Sequence, residues 1–143
     1  MRGYVVDASV AVKWLVSENL SDESERLLET GVTLVAPELI FAEAANALWA
    51  MCRRGDIGNA ELSAAIDLLR AAPLATPIPM RRLAPAAARL AADLDHPVYD
   101  CFYLSLAIQE QHPVVTADTR FHAKVHAHPY LSDHIIHVAE AAA

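Results

Sequence analysis

Asp7, Glu43, Asp100 and Asp118 each stand in a stretch that is otherwise almost uncharged, and any fold of this chain has to accommodate them. Asp7 divides Tyr4-Val5-Val6 from Ala8-Ser9-Val10-Ala11-Val12, and Glu43 lies between Leu39-Ile40-Phe41-Ala42 and Ala44-Ala45-Asn46-Ala47-Leu48-Trp49. Asp100 is the only charge between His96 and Glu110, and Asp118 closes the run Val114-Val115-Thr116-Ala117. Segments this apolar are buried on folding. A carboxylate carried inside with them is costly unless it is paired or holds a metal. Four such carboxylates point to one shared partner, for which a divalent cation with oxygen ligands is the simplest choice.

Around these acids, short β-branched runs alternate with helical patterns. Gly3-Tyr4-Val5-Val6 predicts a short buried strand, and a helix over 10–16 follows, with Asp7 or Ser9 as its N-cap. Ser21-Asp22 opens a second helix to about Thr30, with acids in its first turn where the helix dipole favours them, and Gly31 stops it. Residues 32–35 read as a second strand. Pro37 starts a long helix that Arg53-Arg54-Gly55 ends. Helices are expected at 59–72, 83–94 and 99–111, with a short strand around 76–78 in a proline-broken stretch. Residues 114–116 form a strand, a short helix or irregular segment runs from Asp118 to about Ala127, and 135–138 form the last strand.

This alternation implies a parallel sheet covered on both faces. The 143 residues suit one domain spanning 1–143, and no linker, repeat or low-complexity segment divides it. A hydrophobic content of 55% supplies a core and excludes a disordered chain. Only the end, 141–143, is expected to fray. Cys52 and Cys101 are too few for a disulfide framework and read as reduced core residues. A lone Arg followed by an Asp within the first apolar stretch makes a poor signal peptide. No uncharged apolar run approaches the roughly 18 residues of a membrane span. The expectation is a soluble, cytoplasmic protein with no membrane partner. The net charge of −7 argues against a nonspecific nucleic-acid coat, which would be basic. Contact with nucleic acid must then be local, assisted by metal, or made within a complex.

In open α/β sheets ligands bind beyond the carboxyl ends of the strands. Asp7 and Asp118 both fall there, so both should face one crevice. Glu43 shares a helix face with Leu39, Ile40, Asn46, Ala47 and Ala50, and Asp100 shares one with Tyr103, Leu104 and Ala107. Two inward helical acids can then meet two acids at strand ends. Without a cation such a cluster repels itself and raises some of its pKa values. With Mg²⁺ or Mn²⁺ it becomes an oxygen-ligand site able to activate water and clamp a phosphodiester. Taken singly, Asp7, Asp100 and Asp118 read more readily as helix caps than as ligands, and Glu43, harder to dismiss in mid-helix, could still be one half of a buried ion pair. Together the four favour the metal site.

Four segments carry a family resemblance: Val5-Val6-Asp7-Ala8-Ser9, Pro37 through Leu48, His96 through Ala107, and Val114-Val115-Thr116-Ala117-Asp118-Thr119-Arg120-Phe121. In order and over nearly the whole chain, they resemble the PIN-domain ribonucleases, and most of all the VapC-type toxins of bacterial toxin–antitoxin pairs. The resemblance implies an α/β fold of three layers, α/β/α, around a central parallel sheet. It also implies Mg²⁺- or Mn²⁺-dependent endonuclease activity on RNA, a homodimer, and inhibition by a VapB-type antitoxin. The family's acids carry over to Asp7, Glu43, Asp100 and Asp118, its small hydroxyl residue after the first acid to Ser9, and the hydroxyl residue before the last to Thr116. Some relatives carry a further acid shortly after the fourth. Here Thr119, Arg120 and Phe121 follow Asp118, which implies one firmly held metal and a second that arrives with RNA.

Lys13, Arg120 and Lys124 fall near the expected crevice and are candidates to hold RNA phosphates, while Arg53-Arg54 and Arg81-Arg82 read as solvated surface. Six of the seven histidines follow residue 111. His122 and His126 have the i, i+4 spacing of zinc ligands but lack the accompanying Glu of a zinc hydrolase helix, so surface or packing roles are the better reading. Trp14, Trp49, Tyr99, Phe102 and Tyr103 are candidates to stack on bases, with Trp49 and Phe102 better placed in a core or a dimer interface. Two other functions compete. An aspartyl-phosphate phosphohydrolase or receiver domain also uses an Asp after the first strand, but the former needs a second Asp where Ser9 stands, and the latter an early acidic pair and a late Lys. A catalytically inert PIN-like binding module commonly lacks one or more of the acids, and all four are present here.

Overall fold

The computed structural model describes residues 2–29 and 31–141. The expected end of the second helix at Thr30 and the expected fraying at Ala142 and Ala143 lie outside the described residues. Gly3–Val6 forms β1, uniformly buried as its uncharged β-branched sequence requires. The chain passes through Asp7 into α1 (Ala8–Leu15), then α2 (Ser21–Glu29) and β2 (Thr33–Val35). The long α3 (Leu39–Arg54) ends at Gly55, whose φ of 84° is the left-handed conformation that glycine adopts without a Cβ penalty. Helices α4 (Asn59–Arg70), α5 (Met80–Leu94) and α6 (Val98–Glu110) follow without an intervening strand. Then come β3 (Val114–Thr116), α7 (Thr119–His126), a 3₁₀ turn at Ser132–His134, β4 (Ile135–His137) and α8 (Val138–Ala141).

The strands pair in the order β2-β1-β3-β4, all parallel. Helices cover the sheet to give a three-layer α/β/α architecture, with α6 against the central strands β1 and β3, and α1, α3 and α4 packed on one another. The main core gathers Val5, Val6, Val114 and Val115 from the strands with Ile40, Leu83, Tyr103, Leu104 and Phe121 from the helices. A smaller apolar cluster of Val12, Ala44, Leu48, Ala65 and Leu69 joins α1, α3 and α4.

Several boundaries differ from those expected, each for a local reason. The stretch around 76–78 forms no strand, because its prolines remove ladder donors, and only an isolated bridge links Ala75 to Val35. Helix α5 begins at Met80, directly after Pro79, and runs through Pro85. The buried stripe of α3 is Ile40, Ala44 and Leu48, so Glu43 sits at its margin rather than its centre. Cys101 is buried as expected, whereas Cys52 is only half-buried and its Sγ faces Asn59; both thiols are free.

Candidate functional site

Sheet order turns at β1. From β1 the chain pairs outward to β2 on one side and to β3 on the other. Connections leave such a pair in opposite directions, which opens a crevice beyond their carboxyl ends. Asp7 follows β1 and Asp118 follows β3 by two residues, so both acids stand at that crevice.

Asp7 occupies the N-cap position of α1, yet its side chain does not cap the helix. Its backbone is fixed instead, with its N–H donated to Val115 O at 3.1 Å and its carbonyl accepting from Val10 and Ala11. The carboxylate turns inward, where Oδ2 accepts from Ser9 Oγ at 2.6 Å and Thr116 Oγ1 at 2.8 Å. The two hydroxyls are 3.2 Å apart, Ser9 Oγ also accepts from the Ala117 N–H, and Thr116 Oγ1 accepts from the Asp118 N–H. One small polar network thus ties the end of β1 to the loop after β3. Burial pushes the Asp7 carboxyl up to about 6, an effect that the two hydroxyl bonds oppose and the charges of Asp100 and Glu43 reinforce.

Glu43 and Asp100 approach from α3 and α6. Tyr103, one turn after Asp100, is fully buried and donates its hydroxyl to Glu43 Oε1 at 2.7 Å. Glu43 is raised above the usual carboxylate range by burial, lowered again by that bond, and raised by the Asp100 charge. The Tyr103 hydroxyl is held far above its ordinary value by burial and then by the nearby carboxylates, so it remains a donor. Asp100 Oδ2 lies 2.6 Å from His96 Nε2. The His96 ring stacks on Phe121 at 5.2 Å between centroids. Burial and the Asp100 charge push the Cys101 thiol up to about 11, which keeps it a thiol and removes the one soft donor nearby.

The Asp100 charge therefore acts on both Asp7 and Glu43, and the Glu43 charge acts on Asp7. Asp118 stands apart as a true N-cap, with Oδ1 accepting from the N–H groups of Arg120 and Phe121 at 3.0 and 3.1 Å. Among the described residues, no three His, Cys, Asp or Glu side chains are drawn together tightly enough to enclose a metal ion as they stand. By donor chemistry the three coupled acids still suit a hard cation. They are oxygen ligands, two have raised proton affinity, and among the described residues none of the three pairs with a Lys or Arg, the one basic neighbour being His96 on Asp100.

His96 and the Glu43-orienting role of Tyr103 escaped sequence reasoning. The i, i+4 spacing of His96 and Asp100 was the available signal for the first; the second, across 60 residues, left none. Tyr103 is sealed in the core rather than free to stack on a base, whereas Tyr99 is 60% exposed and lines a groove of about 300 Å³ with Glu43 and Asn46. Trp49 is also exposed, under the Arg53 guanidinium. Trp14 is tied to the Ser24 carbonyl. Lys13 is paired with Glu18 at 3.0 Å. His122 stacks on His126 and meets His137 edge-on, and burial pushes its pKa below the ordinary value.

Tyr103→Phe should test the internal support of Glu43. A hydrogen bond to a charged group contributes roughly 1.5–3 kcal/mol when well shielded, and Glu43 is only half-buried. A loss of about 1 kcal/mol in urea unfolding is expected, with the Glu43 carboxyl titrating still higher once its donor is gone.

The PIN domain family model matches residues 4–126. No curated protein matches the chain. Among solved structures, the chain is similar to PAE2754 from Pyrobaculum aerophilum, with a TM-score of 0.68 and 21% identity over 99% of this chain and 93% of that one. It is also similar to VapBC2 from Rickettsia felis, solved bound to a DNA fragment from their promoter, with a TM-score of 0.64 and 16% identity over 94% of this chain and 98% of that one. At these identities the two structures support the fold. Among the described residues no helix is long and apolar enough to cross a membrane.

Proposed function

The chain belongs to the PIN domain family, and from that premise we propose that it is a divalent-metal-dependent endoribonuclease, a single domain over 1–143 acting in the cytoplasm as the toxin of a toxin–antitoxin pair. The observation that carries this reading is the gathering of Asp7, Glu43 and Asp100 at the crevice between β1 and β3, where the Asp100 charge bears on both other acids. Asp7 and Glu43 have raised proton affinity, and among the described residues none of the three acids pairs with a Lys or Arg, although His96 meets Asp100; such oxygens are suited to a cation, and Mg²⁺ or Mn²⁺ matches carboxylate oxygens and water. The similarity to a VapBC structure supports a VapB-type antitoxin as partner. The family resemblance supports a homodimer.

In this reading Asp7, Glu43 and Asp100 hold the ion, and Asp118 faces the same crevice from the far side of β3. Ser9 and Thr116 fix the Asp7 carboxylate by donating to one oxygen, which leaves the other for the cation. Tyr103 orients Glu43 in the same way. When bound, the cation supplies Lewis acidity toward water and toward a phosphodiester oxygen. The protein contributes a buried Asp7 and half-buried Glu43 and Asp100, each oriented by a hydrogen-bonding neighbour.

The test is Mn²⁺ calorimetry on antitoxin-free protein and on Asp100→Ala, beside an RNA cleavage assay with and without EDTA. Metal binding and EDTA-sensitive cleavage, both lost in the variant, are expected. Unimpaired cleavage by Asp100→Ala protein would sink the assignment. Well-folded protein that neither binds metal nor cuts RNA would be an inert PIN-like binding module instead.

A further inference from the structure

Six of the seven histidines follow residue 111, and the acid cluster draws on none of these six. His112 packs against Gly3. His128 and His137 each accept a backbone N–H on Nδ1, from Tyr130 at 3.3 Å and from Ala139 at 3.2 Å. His122 and His126 differ from these. Neither ring has a hydrogen-bond partner among the described residues. The same holds for His134, but that ring stands alone, whereas His122 and His126 lie together, 5.2 Å between centroids and 14° from parallel. His137 closes the group edge-on, 6.1 Å from His122.

Three features point this pair at a cation. One helical turn sets both side chains on the same face of α7, the spacing at which two imidazoles can share one ion. His126 is the last residue of α7, where the helix dipole favours positive charge. The Glu140 charge bears on His122 from α8. An ion with metal–nitrogen bonds of about 2.1 Å holds two nitrogens at most about 4 Å apart. The rings as they stand are stacked rather than convergent, so binding requires one of them to lean. His126 is exposed and free to do so, while His122 is half-buried beside His137. His137 is not itself a ligand. Its Nδ1 accepts from Ala139, so the neutral ring carries its proton on Nε2 and has no lone pair left to give. Two protein nitrogens therefore hold the ion, and water fills its other positions.

We propose that His122 and His126 form a two-imidazole chelate on α7 for a borderline transition-metal dication such as Zn²⁺, sharing no donor with the acid cluster. Donor type keeps the two sites apart. Imidazole suits Zn²⁺, Ni²⁺ and Cu²⁺, whereas carboxylate and water suit Mg²⁺ and Mn²⁺. An ion bound there ties together two turns of the helix that Asp118 caps, and so stabilises the folded chain. The inference does not rest on the ribonuclease reading.

The experiment measures Zn²⁺ binding to the full chain by calorimetry, with excess Mg²⁺ present to mask the acids, beside an NMR titration that follows the imidazole nitrogens. One ion per chain is expected, with the His122 and His126 nitrogens shifting and His137 keeping its proton on Nε2. His126→Ala should weaken binding about tenfold or more, since the second arm of a chelate acts at high effective concentration. His122→Gln should do the same, and His137→Gln should bind as tightly as the wild type. Melts without Zn²⁺ confirm that each variant is folded. Saturating Zn²⁺ should then raise the Tm of the wild type and leave that of His126→Ala unmoved. Folded wild type that binds no Zn²⁺ would overturn the proposal. So would wild-type affinity in His126→Ala, which would place the ion on the acids or on Cys52. A loss in His137→Gln equal to that in His126→Ala would overturn the two-imidazole assignment.

Discussion

Asp7→Asn protein is expected to lose RNA cleavage by on the order of a thousandfold or more, and yet to melt at a higher temperature than the parent in EDTA at pH 7.5. The first effect follows from removing an anionic ligand from the proposed metal set. The second follows from burial. Desolvation raises the Asp7 carboxyl from 3.8 to about 6, so the folded state binds this proton more tightly than the unfolded state does. The stability linked to that proton is fully present below the unfolded value and is lost as pH rises through about 6. Above that pH the charged form costs the fold about 3 kcal/mol. Asn keeps an oxygen to accept from Ser9 and Thr116 and carries no charge. The net gain should be about 1–2 kcal/mol at pH 7.5, fading toward pH 4.5, where the wild-type carboxyl is itself protonated. Melting curves of both proteins across that range, in EDTA, decide the matter. An Asn variant less stable at every pH would show that Asp7 is not a destabilised charge. Adding Mn²⁺ should raise the wild-type melting temperature and leave the variant nearly unmoved.

Phe121→Ala is expected to cost about 3–5 kcal/mol, because the ring is fully buried and its removal leaves a cavity in the main core. The functional loss should exceed what unfolding explains. The Phe121 side chain carries the His96 ring, which in turn contacts Asp100, whereas its backbone N–H to Asp118 Oδ1 survives the substitution. Cleavage measured well below the variant's melting temperature should therefore still fall, with metal affinity falling in parallel. Phe121→Leu fills most of the volume but offers no ring to His96. It should recover the greater part of the stability and less of the metal affinity. Full recovery of both would show that Phe121 serves only as core.

Much of this architecture is legible in local pattern. Val5-Val6 and Val114-Val115 are uncharged and β-branched, and both form central strands, because a strand covered on both faces admits little else. Arg53-Arg54-Gly55 ends α3 where basic residues meet the C-terminal dipole and glycine takes positive φ. Misplaced boundaries fall where tertiary context outweighs pattern, as at 76–78, where only Ala75 finds a strand to bridge.

The acids divide along the same line. Their identity, and the cost of carrying them in apolar segments, belong to the sequence by itself, since a carboxylate among Val, Ile and Ala side chains needs a partner in any compact fold. So does the placement of Asp7 and Asp118 after strands, because a strand's end is a local property. What only the tertiary structure decided is their division of labour. Asp118 finds two free N–H groups at the start of α7 and caps them. Asp7, at an equivalent position in sequence, turns away from its own helix toward the hydroxyls of Ser9 and Thr116. That choice depends on Thr116, 109 residues away, and on the approach of α3 and α6 with Glu43 and Asp100. Local pattern sets which groups need partners; the packing of distant segments sets which partners arrive.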